Sequence, residues 1–377
     1  MTLTMRNKQA YPVFWAALLL SPLIISIICA RSHGVEYISF ASNQTGNFDI
    51  HIMNTNGKYI DNLTDNPAHD FDPTWAPDGR FLGYVSNRDG NAEIYVMDTK
   101  TKEHRRLTHD PSIDSRPAWS PDGKWIAFVS NRRGSSDIYK MDVNGENIKR
   151  LTKIGNNGSP TWSPDGQWIV FISQLDRTVG LYVMTFEGKG LRFLLPVRLR
   201  DPLPIAGDAG CTWSPDGKQI AFGTWEPQNI GPGVPAIVRG VLLELQPILE
   251  GVHPNLQVPV TLSVFDIDAE NVRKLTQVPR VQNKKPSPIL QIFRPAWSPN
   301  GDWIAYSISD VGELWGFSAD LHIINVRNDD GVGTRLVGNG GGKFYLSPAW
   351  VPEGFLSVSP TAEKQTTLWG RLKQKSD

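Results

Sequence analysis

The chain of 377 residues has only two cysteines, Cys29 and Cys211, so no framework of several disulfides holds it together. It also has no excess charge, because 38 Lys and Arg residues balance 38 Asp and Glu residues. This balance argues against a nucleic-acid-binding protein, which would carry a basic surface. Its hydrophobic content of 40% and aromatic content of 10% indicate a folded core rather than a disordered chain.

Recognisable catalytic motifs are missing as well. No Gly-x-Ser-x-Gly elbow indicates a serine hydrolase, and the histidines show no His-Glu-x-x-His spacing. The glycine-rich segment 338–343 lacks the Ser or Thr of a phosphate-binding loop, so we interpret it as a connector. His69, Asp70 and Asp72 are the only local group of metal-capable residues, and we interpret them as a chance cluster in a loop. We therefore expect no catalytic residues, no cofactor and no bound metal.

What the chain does contain is a repeated motif that ends in tryptophan and a tight turn. The copy at 116–123 reads Arg-Pro-Ala-Trp-Ser-Pro-Asp-Gly. Variants of it occur at 72–79, 159–166, 210–217, 294–301 and 347–354. Successive motif tryptophans are 44, 43, 51, 84 and 53 residues apart. A period of roughly 40–45 residues built from strands is typical of β-propellers.

One repeat can be divided into four strands. Residues 116–119 form the first, and the turn chemistry of Ser-Pro-Asp-Gly leads into a β-prone second strand at 124–130. Further strands are predicted at 137–142 and 148–152, separated by an Asn-Gly hairpin turn. Four antiparallel strands per repeat are the composition of a propeller blade. The repeated tryptophan is expected to fill the space between neighbouring blades, where a large flat side chain buries the most area.

The two ends of the chain hold complementary parts of one blade. Residues 36–64 contain second, third and fourth strands, whereas residues 347–350 supply a first strand. Joined in one sheet, they would close the ring and remove the exposed edges of an open array. Residues 355–358 resemble a second strand and could compete with 37–40 for that place. The predicted fold class is all-β: a six-bladed β-propeller of four-stranded antiparallel blades, closed by N- and C-terminal strands in one blade.

The amino terminus has the layout of an export signal. Arg6 and Lys8 precede an apolar run at 11–30, which is followed by small residues. The run is also nearly long enough to serve as an uncleaved membrane anchor. Lipid attachment at Cys29 is disfavoured by the two isoleucines before it. We predict a signal peptide or N-terminal membrane anchor at 1–32, and an exported protein that is periplasmic or otherwise extracytoplasmic.

The remaining boundaries follow from the repeat. The propeller is predicted at 33–360, and a polar tail at 361–377. The largest departure from the repeat is an insertion at 224–261 between the second and third strands of one blade. Such a connection should emerge beside the lead-ins to the first strands, so we expect it to cap or border the channel mouth. The alternative is an insertion without a binding role that buries only its own apolar residues.

The repeat resembles the β-propeller of the TolB family. The shared elements are Pro-x-Trp-Ser-Pro-Asp-Gly, Ile-Ala-Phe and Ile-Tyr-x-Met-Asp, found here at 117–123, 126–128 and 138–142. The resemblance covers residues 36–359 and implies a propeller that binds partner proteins. The α/β domain that precedes the propeller in TolB proteins has no counterpart between the predicted leader and the first blade, so the resemblance extends to the propeller alone.

Connectivity places the loops of a propeller on two faces. The turn face carries the Ser-Pro-Asp-Gly turns and the third-to-fourth hairpins. The lead-in face carries the segments before each first strand and the second-to-third connections. The lead-ins border the central channel and differ between blades, as recognition loops on a repetitive scaffold do. The predicted partner-binding residues on this face are His69, Asp70, Asp72, Asp114, Arg116, Asp208 and Arg294.

Charges dispersed over different blades suit a docking surface better than an active site, which needs convergent histidines and carboxylates. We therefore expect a monomeric, non-catalytic propeller that acts as a protein-binding or scaffolding module of the cell envelope. Its partners would be envelope proteins, with no nucleic acid. The competing interpretation is a carbohydrate-active or lactone-hydrolysing propeller enzyme with a site at the channel mouth. The third is a purely structural role, for example holding a larger complex together at a membrane.

Overall fold

The computed structural model describes residues 36–175, 178–196, 210–225, 260–277, 290–311, 317–327, 333–337, 343–352 and 355. The described strands belong to one compact unit, which begins at Tyr37. The predicted leader 1–32, the tail 361–377 and nearly all of the insertion 224–261 lie outside the described residues. Within the described part of the chain, no helix has the length and apolarity needed to span a membrane.

The described residues form six antiparallel sheets of four strands each. We number these sheets as blades 1 to 6, and in each blade the strands are given from the channel outward.

Blade 1 contains β24 (Tyr345–Trp350), β1 (Tyr37–Ser42), β2 (Asp49–Asn54) and β3 (Tyr59–Asn62). Blade 2 contains β4 (Asp70–Trp75), β5 (Phe81–Ser86), β6 (Glu93–Asp98) and β7 (His104–Arg106). Blade 3 contains β8 (Asp114–Trp119), β9 (Trp125–Ser130), β10 (Asp137–Asp142) and β11 (Lys149–Arg150). Blade 4 contains β12 (Asn156–Trp162), β13 (Trp168–Leu175), β14 (Thr178–Thr185) and β15 (Arg192–Pro196). Blade 5 contains β16 (Cys211–Trp213), β17 (Gln219–Trp225), β18 (Val260–Asp266) and β19 (Asn271–Gln277). Blade 6 contains β20 (Leu290–Trp297), β21 (Trp303–Val311), β22 (Phe317–Asn325) and β23 (Thr334–Val337).

The first and last described strands meet in blade 1, which confirms the predicted closure. Strand β1 pairs with β24 on one side and with β2 on the other, and Ile38 lies opposite Trp350. Strand β1 therefore occupies the second-strand position of blade 1, for which residues 355–358 were a predicted competitor. Phe355 packs instead on Trp75, with ring centroids 5.1 Å apart, and residues 356–358 lie outside the described residues.

The Ser-Pro-Asp-Gly turn is stabilised by its own side chains. In blade 3 the Ser120 hydroxyl donates to Asp122 Oδ1 at 2.6 Å and accepts from the backbone N–H of Trp125 at 2.9 Å. Gly123 has a φ of 70°, a left-handed conformation that glycine adopts without a steric penalty. The serine thus satisfies the N–H that starts the second strand and connects the turn to that strand.

The motif tryptophans fill the spaces between blades, as predicted. Trp162 of blade 4 packs against Ala127 and Val129 of blade 3, and its indole N–H donates to the carbonyl oxygen of Ala118 at 3.0 Å. The last tryptophan, Trp350, packs in the same way against blade 6. Each space between neighbouring blades therefore has its own apolar cluster, and together these clusters form the core.

Candidate partner-binding site at the central channel

The first strands of all six blades line a central cavity of about 350 Å³. One position of the repeated motif, three residues before the tryptophan, contributes a residue to this lining in every blade. The residues at this position are Asp72, Arg116, Ser159, Gly210, Arg294 and Ser347. The cavity wall therefore consists of one repeated backbone feature whose side chain differs from blade to blade.

The backbone at this position is strained. The five residues other than glycine have φ values between 40° and 56°. Each precedes a proline and lies where the pairing of first and second strands shifts register. A left-handed conformation costs a residue with a Cβ roughly 1–2 kcal/mol, and such strain is concentrated at functional sites. In blade 5 the residue is Gly210, where an added Cβ would lie 2.6 Å from the Cα of Arg294.

Three of these side chains interact across blade boundaries. Asp72 forms an ion pair with Arg294 and accepts a hydrogen bond from the Ser347 hydroxyl at 3.1 Å. This cluster connects blades 6, 1 and 2 on the inside of the ring. Arg116 adds a second guanidinium, so the described lining carries two cationic side chains and one carboxylate. Such a lining favours a partner group that is polar or negatively charged.

Two of the predicted contact residues are buried instead. Asp70 and Asp114 have no exposed surface, and they pair with Arg88 at 3.3 Å and Arg132 at 2.8 Å, respectively. Burial raises the pKa of both carboxyl groups, and the hydrogen bonds and the arginines oppose this effect only in part. The environment of these two aspartates is that of structural residues that brace the blade, and no partner could reach them without a rearrangement.

His69 and Asp208 complete the predicted set. His69 is exposed just before β4, and its Nδ1 accepts from the backbone N–H of Phe48 at 3.2 Å. Its ring lies 6.1 Å from that of Phe71. Asp208 lies outside the described residues. Of the predicted set, the structure therefore brings Asp72, Arg116 and Arg294 together at the channel, whereas His69 is exposed in the lead-in to β4 and does not line the cavity.

Two exposed isoleucines on the lead-in face were missed by the sequence reasoning. Ile113, just before β8, is 52% exposed, and Ile154, just before β12, is 56% exposed. They belong to the lead-ins of neighbouring blades 3 and 4. The seven predicted partner-binding residues are all ionisable. The available signal was an apolar residue in a loop where a polar one is expected.

The described residues contain no cluster of three His, Cys, Asp or Glu side chains that could hold a metal ion. His51 and His322 lie in third strands and stack on Phe40 and Tyr306, and burial lowers the pKa of both imidazoles. Burial also raises the pKa of the Cys211 thiol, so this cysteine is a protonated packing residue near neutral pH. The described channel lining thus offers hydrogen bonds and ion pairs.

The fold and the channel define this protein as a six-bladed β-propeller. The sequence profile of the TolB beta-propeller domain family matches residues 29–99 and 85–224, which together span more than half of the chain. The chain therefore belongs to the TolB beta-propeller domain family. No curated protein sequence is similar enough to be counted as a relative.

Three solved structures show the same fold at low sequence identity. TolB from Acinetobacter baumannii has a TM-score of 0.61 at 21% identity, over 89% of this chain and 71% of that one. A putative TolB from Agrobacterium tumefaciens has a TM-score of 0.53 at 17% identity, over 85% of this chain and 100% of that one. A chain of a nidogen/laminin complex has a TM-score of 0.54 at 10% identity, over 84% of this chain and 98% of that one. At these identities the likeness concerns the fold alone.

Proposed function

We propose that this protein is an exported, non-catalytic propeller that binds another protein of the cell envelope through its lead-in face. The observation that carries the proposal is the combination of charged side chains in the channel lining with two exposed isoleucines in the lead-ins. Asp72, Arg116 and Arg294 supply charges of both signs, and Ile113 and Ile154 supply apolar anchors. Protein interfaces combine these two elements, with apolar anchors surrounded by polar groups.

The strained residues at the channel support a recognition role. Their left-handed backbone directs a different side chain from each blade into one cavity, and the fold maintains this arrangement at a cost in stability. Membership of the TolB beta-propeller domain family agrees with a binding module. The described lining also lacks the convergent histidines and carboxylates that hydrolysis of a glycoside or a lactone would need.

The isoleucines provide the sharpest test, because their side chains are exposed and can be changed without disturbing the core. A variant with Ile113→Asp and Ile154→Asp should lose capture of its envelope partner. The control is Ile148→Asp, because Ile148 is 42% exposed but precedes β11 on the turn face. The measurement is affinity capture from envelope extracts with quantitative mass spectrometry. Far-UV circular dichroism of each variant checks that the blades are intact.

The proposal requires at least one envelope protein to be recovered by the parent and the Ile148→Asp control but lost by the double variant. Equal recovery of all proteins by the three baits would refute docking through the lead-in face. Turnover of an oligosaccharide or lactone by the purified protein, abolished by Arg116→Ala, would instead establish the competing enzyme. Cell fractionation tests the export step separately, and recovery of the intact chain in the cytoplasm would contradict it.

A further inference from the structure

Two grooves between blades occur at equivalent places on the turn face, but they differ in size. The groove between blades 2 and 3, here called groove 2/3, has a volume of about 310 Å³. The groove between blades 5 and 6, here called groove 5/6, has a volume of about 680 Å³. Small-molecule sites are commonly clefts of about 300–1,000 Å³, so groove 5/6 has room for a ligand.

The walls of the two grooves correspond position by position. A tryptophan of the following blade forms one wall, Trp119 in groove 2/3 and Trp297 in groove 5/6. An arginine on the fourth strand crosses to the next hairpin in both cases. Arg105 donates to the carbonyl oxygen of Val143 at 2.8 Å, and Arg273 donates to that of Val326 at 3.3 Å. The grooves are thus two copies of one repeated feature.

The first difference is the loss of an aromatic ring. The residue that begins the second strand is aromatic in five blades. These residues are Tyr37, Phe81, Trp125, Trp168 and Trp303. In blade 5 the residue is Gln219, which lines groove 5/6 where Phe81 lines groove 2/3. Groove 5/6 therefore lacks the ring that the propeller itself supplies at the equivalent place.

The second difference is charge. The charged lining residues of groove 2/3 are Asp78, Asp122 and Arg105, and those of groove 5/6 are Asp216, Arg273 and Arg327. Carboxylates outnumber guanidiniums by one in the first groove, whereas guanidiniums outnumber carboxylates by one in the second. The reversal arises because Asn300 replaces an aspartate and Arg327 replaces an asparagine. Compared with groove 2/3, groove 5/6 thus lacks one aromatic ring, has one carboxylate fewer and has one guanidinium more.

We propose that groove 5/6 binds a small aromatic carboxylate. The ring of the ligand would occupy the place left by Gln219 and pack beside Trp297, where five blades use a ring of their own. The carboxylate would pair with the guanidiniums of Arg273 and Arg327. Arg327 has an ion pair with Asp302 at 2.7 Å, but its side chain is 78% exposed, and such surface pairs are weak enough to exchange partners. This site is independent of the lead-in face.

The test uses indole-3-acetate as the probe and its neutral analogue indole-3-acetamide as the matched control. Saturation-transfer NMR and calorimetric titration of the full chain should show saturable binding of the acid. The amide should bind about tenfold more weakly or worse, because hydrogen bonds to a charged carboxylate are stronger than those to a neutral amide. Arg327→Asn, which installs the residue that groove 2/3 has there, should weaken binding of the acid to a similar degree.

Two substitutions at one position separate groove filling from loss of structure. Gln219→Trp, which installs the residue of blades 3, 4 and 6, should abolish binding without lowering the unfolding temperature. Gln219→Ala should keep binding, because it leaves the groove open. Unchanged binding in the Gln219→Trp variant, equal binding of acid and amide, or no saturable binding to the parent would each overturn the proposal.

Discussion

Replacing Trp350 with alanine tests how firmly the last strand closes the ring. Trp350 is 7% exposed and packs against blade 6, and its indole N–H donates to the carbonyl oxygen of Ala296 at 2.8 Å. It lies in β24, the single strand that the C-terminal part of the chain contributes to blade 1. The substitution leaves the backbone pairing of β24 with β1 possible, so it tests the side-chain packing of the closure.

The expected magnitude follows from the burial of the indole. A buried tryptophan covers about 150–250 Å², which at roughly 25 cal/mol per Å² corresponds to about 4–6 kcal/mol as an upper bound. Measured losses for tryptophan-to-alanine changes in cores are about 3–5 kcal/mol. We expect Trp350→Ala to reduce the free energy of unfolding by about 3–5 kcal/mol, which is a large part of the stability of a typical domain.

Trp162 supplies the matched internal comparison. It is 6% exposed, and its indole N–H makes the same type of bond to a backbone carbonyl, at 3.0 Å. Urea unfolding followed by far-UV circular dichroism should show similar losses for Trp350→Ala and Trp162→Ala, each in one transition. A loss below about 1 kcal/mol for Trp350→Ala beside a full-sized loss for Trp162→Ala would refute the closed ring as the unit of stability.

Two further outcomes test the turns and one contact between blades. Gly145 has a φ of 86°, and an added Cβ would lie 2.5 Å from the carbonyl oxygen of Leu107, whereas Gly134 has a φ of 93° with nothing within 4 Å. Gly134→Ala should reduce the free energy of unfolding by roughly 1–2 kcal/mol through left-handed strain alone, and Gly145→Ala should reduce it clearly more. Equal destabilisation of the two variants in thermal unfolding would contradict this. Hydrogen bonding from the buried Lys140 lowers the pKa of Glu187 from 4.5 to about 2. The stability from this contact is present above the unfolded pKa and is lost as the pH falls from 4.5 toward 2, by less than about 1 kcal/mol because the carboxylate is 40% exposed. Urea titrations across this range should show a smaller loss for Glu187→Gln than for the parent, and parallel curves would contradict it.

The fold could be predicted because its information is local and repeated. Each Ser-Pro-Asp-Gly turn is stabilised within its own few residues, as at Ser120, whose hydroxyl bonds Asp122 and Trp125. Residues 36–64 and 347–350 each hold only part of a blade. Only pairing them in one sheet leaves neither part with an unpaired edge, and β1 and β24 pair in this way.

The channel residues were harder to predict because a backbone irregularity decides which side chains face the channel and which are buried. Asp70 and Asp72 are two residues apart, and in a regular strand their side chains would point to the same side. The register shift between Phe71 and Thr74, together with the positive φ of Asp72, separates them. As a result Asp72 lines the channel, whereas Asp70 is buried against Arg88. A side chain in the left-handed conformation before a proline has no reliable signature in the sequence.

By itself, the sequence determined the number of blades and the chemistry of their turns, because each depends on residues near one another in a repeated motif. It also determined the closure of the ring, because residues 36–64 and 347–350 hold complementary parts of one blade. Only the tertiary structure decided that Asp72 pairs with Arg294 across blade 1, that Asp70 and Asp114 are buried, and that Gln219 lines a groove against blade 6. The ion pair and the groove depend on the distances between different blades. Such distances arise when the wedges pack around a common axis, and no short stretch of the chain encodes them.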